Sequence, residues 1–220
     1  MTMALPPRPT CGASTISDAL DRLGLHGQTL GIRALGHNRA LWGRAFTIRM
    51  APAASPAGSV GDYIDDVEPG TVVVIDNDGR LDATVWGDIL TVIAARKGLA
   101  GTVIDGVCRD SAVLDSVDYP LFARGTHMRT GKDRVQLEAV GEVIQVGGVR
   151  VDHGDVIYGD PDGIVVIPSD RLDEVLAVAT EIERAEDDIR RSVEAGQSLL
   201  EARRQFGYHA LQTRADDGAT

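Results

Sequence analysis

Apolar side chains recur at helical spacing in two short stretches of the chain. In residues 14–23 and again in residues 87–97, apolar positions lie three or four residues apart, as on one face of a helix. A glycine follows each stretch, Gly24 and Gly98, and a glycine just past the last turn readily ends a helix because it adopts the left-handed conformation. The pattern therefore predicts two helices of about three turns each.

Two continuous apolar runs flank the second of these helices. Residues 71–75 and 101–105 are rich in Val and Ile, as in strands that are buried on both faces of a sheet. Residues 76–79, Asp-Asn-Asp-Gly, predict the end of the first run. Strand, helix and strand within about 35 residues predict a βαβ crossover, so we expect the two strands to lie parallel. Residues 42–50 alternate between apolar and polar side chains and predict one more strand.

From residue 121 onward the pattern predicts short strands separated by glycine turns. Gly147-Gly148 stands between two alternating runs and predicts a hairpin. The predicted strands cover residues 140–146, 149–151, 155–158 and 163–167. The fold class is therefore α/β, with a central β-core in residues 1–168.

A long helix is predicted after the sheet, from Asp170 to about Glu194, with Ser169 or Asp170 as its cap. Gly196 interrupts the pattern, and residues 198–206 predict a further short amphipathic helix. We assign residues 169–220 to a C-terminal helical arm that is part of the same domain. The long helix is charged along much of its length, which fits either a solvated face or an arm that docks on a neighbouring subunit.

Composition and charge exclude several function classes. The chain is 43% hydrophobic and 25% charged, which suits one folded domain rather than a disordered chain. Its net charge is −11 and it has no basic block, so we expect no nucleic-acid partner. Two cysteines are too few for a disulfide framework or a cysteine-based zinc site. Because no apolar run could span a membrane and residues 1–9 lack the apolar core of a signal peptide, we expect a cytoplasmic protein without a membrane partner.

Sequence signatures of common cofactor sites are absent. No Gly-x-Gly-x-x-Gly motif follows a strand, so a dinucleotide site has no support. The five histidines are scattered without a His-x-x-x-His pair, which makes a zinc hydrolase unexpected. Cys108 follows a buried strand with no obvious base nearby, and we interpret it as a small buried side chain.

Polar groups stand where the two strands of the predicted crossover end. In open α/β sheets, ligands bind beyond the carboxyl ends of the strands. Residues 86–90, Trp-Gly-Asp-Ile-Leu, begin the crossover helix, whose free N–H groups favour an anion such as a carboxylate. Arg109 and Asp110 directly follow the second strand and offer a planar cation beside a hard oxygen ligand. The residues alone fit either a site for an oxo acid and a divalent metal or a salt-bridged loop beside a helix cap.

Seven motifs, in matching order, give the sequence a resemblance to a known family. Among them are Ala-Gly-Thr-Val-Ile-Asp-Gly-Val-Cys-Arg-Asp at residues 100–110 and Gly-Asp-Pro-Asp-Gly at residues 159–163; the others are residues 14–20, 68–70, 86–90, 120–125 and 147–151. Over roughly residues 12–207 the sequence resembles the RraA-like family, which contains the 4-hydroxy-4-methyl-2-oxoglutarate and 4-carboxy-4-hydroxy-2-oxoadipate aldolases. The resemblance implies a layered α/β fold and assembly as trimers or hexamers with sites between subunits.

The resemblance also implies an activity and a site. Catalytic members of the family are divalent-metal pyruvate aldolases that also decarboxylate oxaloacetate, so the implied cofactor is Mg²⁺ or Mn²⁺ and the implied substrate is a 4-hydroxy-2-oxo acid. By correspondence, Arg109 contacts the oxygens of the oxo acid and Asp110 ligates the metal. The segment that presents backbone amides to the pyruvate carboxylate consists of Gly87, Asp88, Ile89 and Leu90.

Two further implied roles rest on acidic residues. Asp88 stands where many family members have Glu or Asn, and its carboxylate keeps a water-mediated metal contact and a part in proton transfer available. Family aldolases also use an acidic residue from the C-terminal segment of a neighbouring subunit. Glu183 or Glu186 on the long predicted helix could fill that place.

Two function classes remain for this sequence. The first is a metal-dependent (class II) aldolase, because Lys97 and Lys132 both stand in polar positions next to turns and neither is placed for a Schiff base. The second is a non-catalytic regulator that binds an RNA-degrading endonuclease, since the same family includes one. The acidic segment from Ser169 to Phe206 favours the aldolase, because the regulator type ends soon after the sheet.

Overall fold

Ten strands and four α-helices form the part of the chain that the computed structural model describes, residues 4–208. The helices are α1 (Ala13–Arg22), α2 (Asp88–Lys97), α3 (Leu172–Glu194) and α4 (Leu199–Gln205). The strands are β1 (Arg33–Ala34), β2 (Leu41–Pro52), β3 (Thr71–Thr84), β4 (Gly101–Cys108), β5 (Leu121–Thr126), β6 (Val135–Val140), β7 (Ile144–Val146), β8 (Val149–Val151), β9 (Val156–Asp160) and β10 (Gly163–Ile167). Residues 209–220 of the predicted C-terminal arm lie outside the described part.

Eight of these strands form one sheet with two buried faces. Its order is β1-β5-β4-β3-β2-β9-β10, and β6 pairs with β2. The pairings β2–β3, β3–β4 and β4–β5 are parallel. The other pairings in this sheet are antiparallel. Ile75 and Ile104 belong to the hydrophobic cluster on one face, and Val74 and Val103 belong to the cluster on the other. The continuous apolar runs of β3 and β4 are explained by burial on both faces.

The predicted βαβ crossover is confirmed, but β3 is longer than expected. Helix α2 joins the parallel strands β3 and β4 and ends at Gly98, which has a left-handed φ of 70°. The prediction that residues 76–79 end β3 is wrong, because the strand bulges there and continues to Thr84. The buried Asn77 sustains this irregular stretch, since its Nδ2 donates to the Ala83 carbonyl at 3.2 Å.

Residues 140–146 form two strands rather than the predicted single strand. Strand β6 ends at Val140 and β7 begins at Ile144, because Gly141 takes a φ of 76° and its N–H donates to the Thr47 carbonyl at 2.9 Å. The hairpin at Gly147-Gly148 is confirmed: it joins β7 to β8, and both glycines have positive φ, 58° and 84°.

Helix α3 packs along α1 of the same chain. Val175, Ala179 and Ile182 of α3 share one buried cluster with Ile16 and Leu20 of α1. This apolar stripe fills one face of α3, and the charged side chains lie on its other faces. None of the helices in residues 4–208 is both long and apolar enough to cross a membrane.

The predicted cap of α3 is wrong. Neither Ser169 nor Asp170 caps the helix; its N-cap residue is Arg171, which makes no side-chain capping bond. The reason is a turn before the helix, in which the Arg171 N–H donates to the Pro168 carbonyl at 3.0 Å. That turn moves the first helical residue to Leu172.

Candidate active site

A pocket lies where the end of β3 meets the start of α2. Its cavity has a volume of about 240 Å³. The lining comes from residues 84–90, from Arg109 after β4, from residues 60–61 and from a turn at residues 130–132. The five residues that the sequence analysis assigned to substrate binding therefore line one pocket: Gly87, Asp88, Ile89, Leu90 and Arg109.

A buried indole contacts both segments that carry the candidate site residues. The Trp86 side chain is 2% exposed, and its Nε1 donates to Thr91 Oγ1 at 2.9 Å. Trp86 also stacks on Tyr119, with ring centroids 6.4 Å apart and 5° between the planes. Its carbonyl accepts the Arg109 N–H at 2.9 Å. Trp86 thus contacts the first turn of α2 through its side chain and the residue that follows β4 through its backbone carbonyl.

The first turn of α2 supplies N–H groups to the pocket. The leading N–H groups of an α-helix have no acceptor within the helix and form the positive end of its dipole. Asp88 Oδ1 accepts the Ile89 N–H at 2.8 Å, so one of the expected amides is already engaged by its neighbour. Within residues 4–208 the N–H groups of Asp88 and Leu90 have no acceptor, which leaves them available to an anion.

Arg109 and Asp110 form an ion pair that lies against Gly87. Arg109 Nε is 3.1 Å from Asp110 Oδ2, and the two side chains are 39% and 42% exposed. A Cβ added at Gly87 would stand 2.9 Å from Asp110 Oδ2 and 3.3 Å from Arg109 Nε. The backbone of Gly87 is extended, with φ −149° and ψ −166°, a conformation open to other residues. The space for a side chain at Gly87 is therefore limited by the ion pair and not by backbone strain.

The pocket contains a second cation that the sequence analysis missed. Lys132 lines it together with Arg109. Lys132 lies beside a turn, as expected. That turn packs on the end of β3 through a β-bridge between Thr84 and Thr130, which brings the lysine to the pocket. No local pattern signals a contact between residues so far apart in the chain. The one hint in the sequence is Gly131, directly before the lysine.

The two candidate carboxylates on α3 lie against α1 of their own chain. Glu183 Oε2 accepts the Thr15 hydroxyl at 2.9 Å, and its Oε1 accepts Arg190 at 3.0 Å. Glu186 lies 3.7 Å from the Arg190 guanidinium; burial raises the pKa of its carboxyl, and Arg190 opposes that rise. Neither residue lines the pocket with Arg109. The single chain therefore does not bring them to the site, and their expected role requires a neighbouring subunit.

Cys108 has the environment that the sequence analysis predicted. Its side chain is fully buried at the end of β4. Burial raises the pKa of the thiol to about 11, so it stays protonated at neutral pH and is a poor nucleophile.

The donor atoms at the pocket fit an ion of the magnesium type. Among residues 4–208, no three His, Cys, Asp or Glu side chains gather into a cage for a metal. Asp110 instead offers one half-exposed carboxylate, and Asp88 offers another in the pocket itself. Mg²⁺ is typically held by one or two carboxylates and keeps several water ligands, and Mn²⁺ prefers similar oxygen ligands. The carboxylates of Asp88 and Asp110 therefore match the type of ligand that such an ion takes.

Comparison with known families gives one match that covers most of the chain. A model of the RraA-like family, described as Aldolase/RraA, matches residues 13–166. The matched span contains every residue that lines the pocket, together with Asp110, and it ends before α3.

Individual relatives are similar over most of the chain. Protein DlpA of Legionella pneumophila is 38% identical over 90% of this chain, and the chain spans 33% of its length. A Halalkalibacterium halodurans protein named "Putative 4-hydroxy-4-methyl-2-oxoglutarate aldolase" is 35% identical over 82% of this chain and 83% of its own. The crystal structure of Streptomyces coelicolor RraAS2, described as an unusual member of the RNase ES inhibitor RraA protein family, has a TM-score of 0.77 at 27% identity, over 83% of this chain and 93% of its own. The predicted α/β fold is confirmed by this likeness.

Proposed function

The chain belongs to the RraA-like (Aldolase/RraA) family, and from this premise we propose that its pocket is the active site of a divalent-metal-dependent (class II) aldolase. The proposed reaction cleaves a 4-hydroxy-2-oxo acid into pyruvate and a second carbonyl compound. One observation carries the proposal: the Arg109 guanidinium and the unpaired N–H groups at the start of α2 share a pocket, with the Asp110 carboxylate beside them. These are the groups that an oxo acid and a hard cation require.

The pyruvoyl part of the substrate carries a carboxylate next to a carbonyl oxygen. The N–H groups of Asp88 and Leu90, at the positive end of α2, bind the carboxylate. The planar guanidinium of Arg109 binds the neighbouring oxygens through two N–H groups at once. Gly87 leaves room for this arrangement, because a Cβ at that position would stand 2.9 Å from Asp110 Oδ2 and the Asp110 side chain would have to shift.

Asp110 is the proposed protein ligand for Mg²⁺ or Mn²⁺. When bound there, the ion supplies a Lewis acid that polarises the substrate carbonyl. Arg109 holds the Asp110 carboxylate through their 3.1 Å contact, so the same arginine orients both the substrate and the ligand carboxylate.

Cleavage requires one proton transfer at each end of the reaction. A base removes the proton of the C4 hydroxyl, C4 becomes a carbonyl, and the electron pair of the C3–C4 bond forms the enolate of pyruvate. A proton delivered to C3 then gives pyruvate. Asp88 has its carboxylate in the pocket for these transfers, and Glu183 or Glu186 of a neighbouring subunit is the second acid–base group. Arg109 stabilises the negative charge that develops on the enolate oxygen.

The same groups support decarboxylation of oxaloacetate as a side activity. Loss of CO₂ from oxaloacetate forms the same pyruvate enolate, and its oxygen carries the same developing charge.

The requirement for Glu183 or Glu186 leads to a further proposal, that the protein acts as a homotrimer or homohexamer. Both residues lie on α3, away from their own chain's pocket, so they reach a pocket only across a subunit boundary.

The regulator remains the second candidate. RraAS2 is described as a member of an RNase inhibitor family, so membership of the RraA-like family alone supports either function. The segment after the sheet favours the aldolase, because α3 and α4 continue the chain to Gln205 and α3 carries Glu183 and Glu186, the two carboxylates available for the proposed cleavage.

Pyruvate release separates the two candidates. The purified protein is supplied with 4-hydroxy-4-methyl-2-oxoglutarate, 4-hydroxy-2-oxopentanoate or oxaloacetate, and pyruvate is measured with lactate dehydrogenase. The aldolase predicts release that EDTA abolishes and Mg²⁺ restores. If no substrate yields pyruvate above the rate seen with Arg109→Ala, the aldolase proposal is overturned and the regulator takes its place.

A further inference from the structure

We infer that Lys97, in the last turn of α2, is a positioning residue of the proposed active site, because it holds one wall of the pocket against that helix. The inference rests on the proposed aldolase function and deepens it. Lys97 is not among the residues that line the pocket, so it acts through the wall and does not touch the substrate.

One wall of the pocket comes from a segment that precedes β3 in the chain. Val60 and Gly61 line the pocket and lead directly into a 3₁₀ turn over Asp62–Asp66. We call residues 60–66 the wall segment. A Cβ added at Gly61 would stand 3.2 Å from Leu90 Cδ1 and Cδ2, so the segment packs closely on a side chain in the first turn of α2. Leu90 also carries one of the two N–H groups proposed to bind the substrate carboxylate.

Lys97 fixes the other end of the wall segment to the other end of α2. Its ammonium donates to the Ile64 carbonyl at 3.0 Å and to the Asp65 carbonyl at 2.5 Å. The last carbonyls of a helical turn lack the donors that a further turn would supply, and a lysine side chain can take their place. Helix α2 thus contacts the wall segment through Leu90 and through Lys97, at positions about 10 Å apart along the helix axis.

Apolar packing supports the wall segment but leaves one of its polar groups without a partner. Tyr63 and Ile64 are buried in one cluster with Ala94 of α2 and with Leu99. The Tyr63 hydroxyl is the one buried side-chain polar atom without a hydrogen-bond partner in the described part of the chain. A buried hydroxyl without a partner destabilises the segment that carries it. The two hydrogen bonds from Lys97 offset that effect and keep the turn on α2.

Loss of the Lys97 contacts should weaken substrate binding more than the chemical step. The wall segment and the Leu90 N–H contact the substrate before cleavage as well as during it. Interactions that are equally strong in both states set KM and leave kcat unchanged. Arg109 and Asp110, which act on the developing charge, follow β4 and keep their contact with each other when the wall moves.

Variants of two neighbouring cations test the inference. Lys97→Met keeps the length and the apolar stem of the side chain but cannot donate, whereas Lys97→Arg keeps donors at that position. Arg96→Met is the matched control, because Arg96 is exposed in the same turn of α2 and makes no hydrogen bond or ion pair with a described residue. Pyruvate release from 4-hydroxy-4-methyl-2-oxoglutarate gives KM and kcat, and hydrogen–deuterium exchange gives the protection of the amides in residues 60–67.

We expect Lys97→Met to raise KM about fivefold, as for one partly exposed charged hydrogen bond, and to keep kcat within about twofold of the native value. The amides of residues 60–67 should exchange faster, because the turn opens more often. Lys97→Arg should restore KM and protection, and Arg96→Met should change neither. A native KM in Lys97→Met overturns the inference even if exchange is faster, and so does a fall in kcat at unchanged KM.

Pyruvate binding separates failure of the inference from failure of the aldolase. Failure of the aldolase is seen in the native protein, which then releases no pyruvate, whereas failure of the inference is seen between variants. Calorimetric titration with pyruvate in the presence of Mg²⁺ measures binding without turnover. Weaker binding in Lys97→Met that Lys97→Arg restores supports the inference even if no substrate is cleaved. Equal binding in the native protein and Lys97→Met, or no binding in either, overturns it.

Discussion

The Thr91 hydroxyl donates to the carbonyl of Gly87, the N-cap residue of α2, at 3.0 Å and accepts the Trp86 indole N–H at 2.9 Å. Thr91 is 1% exposed, so this chain of hydrogen bonds is shielded from water. Within one trans peptide the carbonyl and the N–H point in opposite directions. Fixing the Gly87 carbonyl therefore also fixes the direction of the Asp88 N–H, one of the two amides proposed to bind the substrate carboxylate.

Replacing Thr91 should loosen this peptide. Thr91→Val preserves the shape of the side chain but leaves the Trp86 N–H without an acceptor, which costs about 1–3 kcal/mol in the free energy of unfolding. We expect KM for the oxo acid to rise, while Thr91→Ser, which retains the hydroxyl, restores KM. Urea unfolding and pyruvate-release kinetics on both variants measure the two effects. A Thr91→Val protein with the native KM would show that the hydroxyl serves stability alone.

Gly87→Ala should damage the site more than the fold. The extended backbone of Gly87 accepts alanine, but the new methyl group would press on Asp110 Oδ2 at 2.9 Å and on Arg109 Nε at 3.3 Å. We expect kcat/KM to fall at least about tenfold, because small displacements of positioning groups cost that much or more. The free energy of unfolding should change by less than about 1 kcal/mol.

Gly12→Ala serves as the control for this prediction. Its added Cβ would lie 3.4 Å from Asp160 Oδ2, at the start of α1, which is ordinary contact. Thermal melting and pyruvate release should show both alanine variants folded and only Gly87→Ala impaired. Native activity in Gly87→Ala would contradict a positioning role for Gly87.

The sequence indicated the main strands and most of the pocket because both follow local rules. Strands β3 and β4 contain apolar runs, and a helix that ends at a glycine lies between them. This pattern favours a parallel crossover. Ligand groups then belong at the carboxyl ends of those strands, and Gly87, Asp88 and Arg109 do line a pocket there.

The parts that the sequence did not indicate depend on contacts between distant segments. The sequence of residues 76–79 predicts a turn, but the side chain of the buried Asn77 donates a hydrogen bond to the Ala83 carbonyl and the strand continues. In the sequence, Lys132 resembles an ordinary surface lysine. Its place at the pocket depends on the pairing of Thr84 with Thr130, and no local pattern indicates that pairing. The packing of α3 on α1 likewise follows from the stripe of Val175, Ala179 and Ile182, which the many charges on the helix obscure.

Mixing two inactive variants tests whether a carboxylate on α3 acts across a subunit boundary. Asp110→Asn lacks the metal ligand, and a double variant Glu183→Gln/Glu186→Gln lacks both candidate carboxylates. If the two kinds of residue meet only between subunits, refolded mixtures contain some intact sites and recover part of the native rate of pyruvate release. The parent variants, refolded alone, are the controls, and light scattering should give the mass of a trimer or hexamer. A mixture no more active than its parents argues against a shared site.

The acidity of Glu186 offers a check on the packing of α3. Burial raises the pKa of this carboxyl and Arg190 lowers it, so Arg190→Gln should raise the pKa further. Because the folded-state pKa lies above the unfolded value, the stability contributed by protonated Glu186 is present at low pH and is lost as the pH rises through the folded pKa. Carboxyl ¹³C titration by NMR measures the shift. A pKa that falls in Arg190→Gln would contradict the assigned contact.

Arg109 and Asp110 have separate roles in the proposed metal-dependent cleavage, and measurements on one pair of variants separate these roles. Mn²⁺ affinity and pyruvate release are determined on Asp110→Asn and Arg109→Lys, with melting temperatures to confirm folding. Asp110→Asn should bind Mn²⁺ more weakly, and excess Mn²⁺ should partly rescue its activity. Arg109→Lys should bind Mn²⁺ as the native protein does, with a rate lower by about 10²–10³, the usual loss for one well-placed transition-state contact. If both variants melt at lower temperature but keep near-native turnover and metal affinity, the pair is only a salt-bridged loop and neither residue has the proposed role.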